Sequence, residues 1–157
     1  MKRMLDNIKE CITVYSENDS DMPSERPTLQ GKVSTGHNRG IMGISGNIKP
    51  FIIKKRWGEE RVFQNNNKYC SKLLIIRPHK HTSMHFHIDK HETMVVLKGT
   101  LYIDYNNNKK VETAKLNQYE SFVIAPGLPH KLRAGKEEVH LMEASTPSHD
   151  NDSIRTS

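Results

Sequence analysis

The sequence predicts an all-β protein, a barrel or a sandwich, on three observations. Short β-branched and aromatic runs recur at regular spacing from Phe51 to about Ser145. Turn-forming residues separate these runs, and no helical periodicity interrupts them. Many short strands punctuated in this way close on themselves or stack as two sheets, and the lack of intervening helices argues against a parallel α/β sheet.

The elements follow in order. Residues 4–15 (MLDNIKECITVY) place Met4, Leu5, Ile8, Cys11, Ile12 and Tyr15 at helical spacing. They predict a short amphipathic N-terminal helix that needs a partner surface and that Thr13 and Val14 weaken at its end. Residues 16–50 are rich in Ser, Asp, Asn, Gly and Pro and read as an irregular arm. Residues 1–50 therefore form an N-terminal helix and extended arm. The barrel spans 51–147, with strands expected at FIIK, RVFQ, KLLIIR, MVVL, TLYIDY, SFVIA and VHLMEA. Gly58, Asn65 to Asn67, Gly99, Asn106 to Asn108, Pro126-Gly127 and Gly135 supply the turns. TLYIDY alternates, which predicts one buried and one exposed face. Residues 148–157 are read as a C-terminal tail.

Composition narrows the function. The 157 residues suit one domain with one core. The formal charge is +6, from 24 Lys and Arg against 18 Asp and Glu, which favours anionic small molecules. Basic residues never run beyond three and are not interleaved with aromatics, so no specific nucleic-acid partner is expected. Two cysteines, Cys11 and Cys70, make no disulfide framework. Neither a secretory leader nor an apolar run of roughly 18 residues is found, so the expectation is a cytoplasmic protein without a membrane partner.

Five of the nine histidines fall between His79 and Glu92. His85 and His87 are two apart, so on a strand both imidazoles face one side. Glu92 follows five residues later, and Gly99 closes the next turn. Far downstream, "APGLPH" ends at His130 behind a rigid Pro-Gly turn. His79 and His81 precede the strand and belong at the rim, although His81 is within reach of a substrate. His91 adjoins Glu92 and should point the opposite way. Its His-Glu pair is not a metalloprotease motif, because Val95 stands where the second histidine is needed.

His85-x-His87-x4-Glu92, six residues and then Gly99 resembles the first motif of the cupin superfamily, and Pro126-Gly127-x-x-His130 resembles the second. Tyr119 and Ala125 stand where that motif has Gly and Pro, and Ala134 replaces an Asn; these positions shape turns. More finely, residues 54–76 and 82–104, with Trp57-Gly58, are similar to small cupins related to the C-terminal domain of type II mannose-6-phosphate isomerases. Asp152-Ser153-Ile154-Arg155 is similar to the acidic tail of that group.

The resemblance implies a cupin (double-stranded β-helix, jelly-roll) barrel, commonly a homodimer. It implies one divalent metal ion on His85, His87, Glu92 and His130. Three imidazoles and a carboxylate suit Zn, Mn, Fe, Ni or Co without choosing among them; without metal, the same side chains would be polar core residues. It implies a sugar or sugar phosphate as ligand and a metal-dependent aldose–ketose isomerase as activity. There the metal polarises a carbonyl and a base moves the α-proton. Glu143 on the last strand is the candidate base, with a structural ion pair as its other reading. Lys72, Lys90 and Arg133 are candidates to bind substrate, with solvated surface charge as the alternative. A non-catalytic metal- and sugar-binding module and an Fe-dependent dioxygenase are the competing functions. Metal-independent epimerisation fits poorly with an intact ligand set.

Overall fold

A computed structural model of the chain describes residues 13–15, 49–107, 110–149 and 151–156. In chain order the strands are β1 (Thr13–Tyr15), β2 (Phe51–Lys55), β3 (Gly58–Asn65), β4 (Cys70–Ile76), β5 (His85–His87) and β6 (Glu92–Lys98). They continue with β7 (Leu101–Asn106), β8 (Val111–Leu116), β9 (Ser121–Ile124), β10 (His130–Ala134), β11 (Val139–Ser145) and β12 (Ser153–Arg155). One sheet has the order β1-β2-β3-β4-β11-β6-β9 and the other β12-β5-β10-β7-β8. Every pairing is antiparallel except β1 on β2. Among the described residues no helix is long and apolar enough to cross a membrane.

The all-β expectation holds, with two corrections. The helix expected over residues 4–15 lies outside the described residues as far as position 12. Its last three positions form β1, paired Thr13↔Ile52 to Tyr15↔Lys54. β-Branched Thr13 and Val14 lose little by extending and gain a ladder along β2. Two strands also appear where none was expected, β8 (VETAKL) and β12 (SIR). Residues 148–157, read as a tail, supply β12, which pairs with the histidine strand as Ser153↔His87, Ile154↔Phe86 and Arg155↔His85.

Strand alternation explains where the core stops and polar chemistry begins. The inner row of β4 reads Ile76, Leu74, Lys72. On β6 it reads Val96, Met94, Glu92; on β10, Ala134, Leu132, His130; on β11, Val139, Leu141, Glu143. The apolar members are all buried, and each one larger than Ala134 contributes about 1.5–3 kcal/mol by leaving water. Each row ends in a polar group, and the register sets Glu143 beside Lys72 on β4 and Glu92 beside Ser145 on β11. The barrel therefore has an apolar lower half and a charged layer above it.

Two glycines hold the turns at close quarters. At Gly99, with φ +80°, a Cβ would stand 2.6 Å from the Glu138 carbonyl oxygen. At Gly58 it would stand 1.8 Å from the Ile75 carbonyl oxygen, a clash with backbone that no rotamer relieves. Gly58→Ala should cost about 1–3 kcal/mol or more; a urea transition at the wild-type midpoint would contradict this close approach.

Candidate metal centre

Three imidazoles meet in the charged layer. His85 pairs directly with His130 across β5 and β10, and His87 shares the inner face of β5 by alternation. The ring centroids stand 4.5 Å apart for His85 and His130, 5.1 Å for His85 and His87, and 6.1 Å for His87 and His130. One nitrogen from each ring lies within 4.8 Å of the others, so the three could hold a metal ion.

Backbone carbonyls set the tautomers of two rings. His85 Nδ1 lies 2.9 Å from the Ser83 carbonyl and His130 Nδ1 2.9 Å from that of Leu128. A carbonyl only accepts, so each Nδ1 carries the proton and each Nε2 keeps a free lone pair. Burial lowers the pKa of all three histidines below the ordinary imidazole value, which keeps them neutral and able to ligate at neutral pH.

Glu92 is 2% exposed and stands beside two of the rings. Its Oε2 is 3.4 Å from His130 Nε2 and its Oε1 3.8 Å from His87 Nε2. Oε1 accepts a hydrogen bond from Lys90 Nζ at 2.6 Å, whereas Oε2 is buried without a hydrogen-bond partner among the described residues. His87 Nδ1 is likewise buried and unsatisfied. Such atoms are costly in a protein interior, and the Glu92 oxygen faces the His130 ring. A divalent ion fits this donor set: it would occupy the Glu92 oxygen that has no proton donor.

The other expected site residues divide. Lys90, expected on the surface or at a substrate, is 3% exposed, and its ammonium lies 2.6 Å from Glu92 and 2.5 Å from Glu143. Lys72 is also enclosed, 3.5 Å from Glu60 and 3.9 Å from Glu143. Glu143 faces inward at 3% exposure. Burial alone would raise its pKa, but the Lys72 and Lys90 ammonium groups overcome this and hold it well below the usual carboxylate range. The ion pair foreseen for Glu143 thus lies inside the barrel. Arg133 is not brought to the site. Three residues beyond inward-facing His130, it points outward, contacts Asp104 and lies 4.8 Å over the Tyr102 ring. His79, His81 and His91 are exposed, as their positions beside the ligand strand predict.

One residue was missed as a site member. Asp152, in the C-terminal tail, is 6% exposed and accepts hydrogen bonds from the backbone N–H groups of Ile88, Asp89 and Lys90. Its Oδ2 lies 3.5 Å from His87 Nδ1. The sequence signal was present in the tail resemblance but carried no structural role.

Comparison with known proteins places the chain in a family and a fold. The family described as mannose-6-phosphate isomerase C-terminal matches residues 50–155. The chain belongs to this family. Among curated proteins, the chain is 27% identical over 111 residues to a mannose-1-phosphate guanylyltransferase of Sinorhizobium fredii (strain NBRC 101917 / NGR234). The match covers 69% of the chain and 21% of that enzyme. Among solved structures, the capsular polysaccharide assembling protein CapF of Staphylococcus aureus superposes with a TM-score of 0.62 at 16% identity, over 69% of this chain and 34% of that one. Oxalate decarboxylase of Bacillus subtilis gives 0.62 at 14% identity, over 72% and 33%. KdgF of Halomonas sp. gives 0.53 at 13% identity, over 59% and 81%. At these identities the structures establish the cupin fold and nothing further.

Two outcomes follow for this family member. Lys90→Met leaves two buried carboxylates without their shared ammonium and should cost about 3–5 kcal/mol. Adding Glu143→Gln should recover part of that loss, a coupling that a double-mutant cycle reads; strictly additive losses would refute the bridge. The histidines give a pH dependence of known sign. Their folded pKa values lie below the ordinary value of about 6.5, so the unfolded chain takes up protons first on acidification. The stability they supply is present above about pH 6.5 and is lost as the pH falls through the folded values. Urea midpoints of the metal-free protein, measured down to about pH 5, should decline, and less so in His87→Gln.

Proposed function

We propose that the chain acts as a metal-dependent sugar-phosphate isomerase centre, with one divalent ion held by His85, His87, Glu92 and His130. The observation that supports it is the meeting of three neutral imidazoles with an unpartnered, buried Glu92 oxygen. The family name and the guanylyltransferase relative point to mannose phosphates as the ligand class.

A bound ion supplies Lewis acidity, which acidifies the C–H beside a sugar carbonyl. The residues of the chain do the rest. The Ser83 and Leu128 carbonyls keep two Nε2 lone pairs turned inward. Lys90 steadies Glu92 and, with Lys72, keeps Glu143 ionised and so in its base form. Glu143 receives the proton and returns it to the neighbouring carbon. Lys72, whose side chain is 12% exposed, meets the anionic part of the substrate. A second reading, a centre that binds sugar without turning it over, draws support from Glu143 itself: two ammonium neighbours make it a weak base.

Exchange of the C2 hydrogen separates the two. Metal-loaded protein with mannose 6-phosphate in D₂O should introduce deuterium at C2. Glu143→Gln should slow this by about 10²–10⁴-fold with metal content unchanged. Binding without exchange would establish the second reading. Full activity in both His85→Ala and His130→Ala would eliminate the metal mechanism.

A further inference from the structure

We propose that Asp152 is a positioning residue of the metal centre, and that the C-terminal segment is thereby a working part of the site. The proposal rests on the metal site proposed above.

The segment is fastened at several points. Asn65 brackets Ser148, donating from Nδ2 to its carbonyl at 2.9 Å and accepting from its N–H at 3.0 Å. Thr146 Oγ1 accepts from the His91 N–H at 3.0 Å, and the Thr146 N–H donates to the His91 carbonyl. β12 then pairs along all three residues of β5, whereas β10 pairs with β5 only at His130↔His85. The strand carrying two of the three imidazoles is thus held largely by the tail.

Asp152 sits where this segment meets the ligands. Oδ1 accepts from the N–H groups of Ile88 at 2.8 Å and Asp89 at 3.0 Å, and Oδ2 from that of Lys90 at 3.2 Å. One carboxylate therefore fixes the turn between His87 and Glu92. Fixing Lys90 also fixes the ammonium that holds Glu92 Oε1. The same Oδ2 faces His87 Nδ1 at 3.5 Å, just beyond hydrogen-bond length, and Nδ1 has no other partner. His85 and His130 have carbonyls to hold their Nδ1 protons; for His87 that acceptor is Asp152. An acceptor there keeps the proton on Nδ1 and frees Nε2, which faces Glu92.

Asp152→Asn makes the test specific. With its oxygen left toward Ile88 and Asp89, its NH₂ group replaces Oδ2, gives up the Lys90 N–H bond and faces His87 Nδ1 as a donor, which favours the tautomer with Nε2 protonated. Zn²⁺ affinity by chelator competition should fall about 10- to 100-fold. Nitrogen-detected NMR of the metal-free proteins at neutral pH should show His87 with the proton on Nδ1 in the wild type and on Nε2 in the variant. Asn65→Ala, which loosens the same segment away from the ligands, should change Zn²⁺ affinity less than about twofold. Zn²⁺ affinity in Asp152→Asn equal to wild type, or equal losses in Asp152→Asn and Asn65→Ala, would overturn the positioning role and leave the metal site standing. Nε2 protonation of His87 in the wild type would also overturn it, whether or not the variant folds. A wild type that binds no Zn²⁺, Mn²⁺, Fe²⁺, Ni²⁺ or Co²⁺ would remove both proposals.

Discussion

The upper half of the barrel depends on one ammonium group. Lys90 is buried between Glu92 and Glu143, and its ammonium is within hydrogen-bonding reach of both. Removing a charge from water costs several kcal/mol, and only close opposite charges offset that cost. Because Lys90 engages Oε1 of Glu92, the other oxygen is left facing the imidazoles. Together with Lys72, Lys90 holds Glu143 ionised deep in the fold. Lys72 and Glu60 extend the chain of opposite charges to β4 and β3. Stability and the proposed reactivity therefore rest on the same contacts: the ions that permit a polar layer above an apolar core also keep Glu143 ionised within it.

Strand alternation delivers these charges to one level. Four inner rows, on β4, β6, β10 and β11, run from aliphatic to ionisable in step, and the antiparallel register aligns their polar ends. The remaining wall comes from β5, three residues long and bounded by loops. Such a strand has too few ladder bonds to fix its own side chains. Its order is imposed by β12 on one edge and by Asp152 across the turn that follows it. Fold and site thus meet at the C-terminal segment, inside the range that the family match covers.

Much of this was legible in the sequence, and parity was the main reading tool. The two-residue spacing of His85 and His87 put both rings on one side, and the separation of His91 from Glu92 sent His91 outward. The same rule, applied further, places Lys90 on the side of Glu92 and turns Arg133 away from His130. Treating both as rim charges overlooked it. β8 was not foreseen because VETAKL alternates weakly, with one buried residue at its end. β12 was not foreseen because three exposed residues carry no periodicity; only pairing with β5 makes them a strand. The ion chain through Glu60, Lys72, Glu143 and Lys90 joins four separate segments. Such contacts depend on register, which local patterns do not specify.

The proposed metal centre, three imidazoles and one Glu92 oxygen in the polar layer, joins these observations. X-ray absorption on protein carrying one equivalent of Co²⁺ tests it most directly. The predicted spectrum shows imidazole scattering from three rings plus an oxygen ligand, with one ring lost in His87→Ala. A spectrum of hydrated Co²⁺ without imidazole scattering, or one unaffected by His87→Ala, would contradict it.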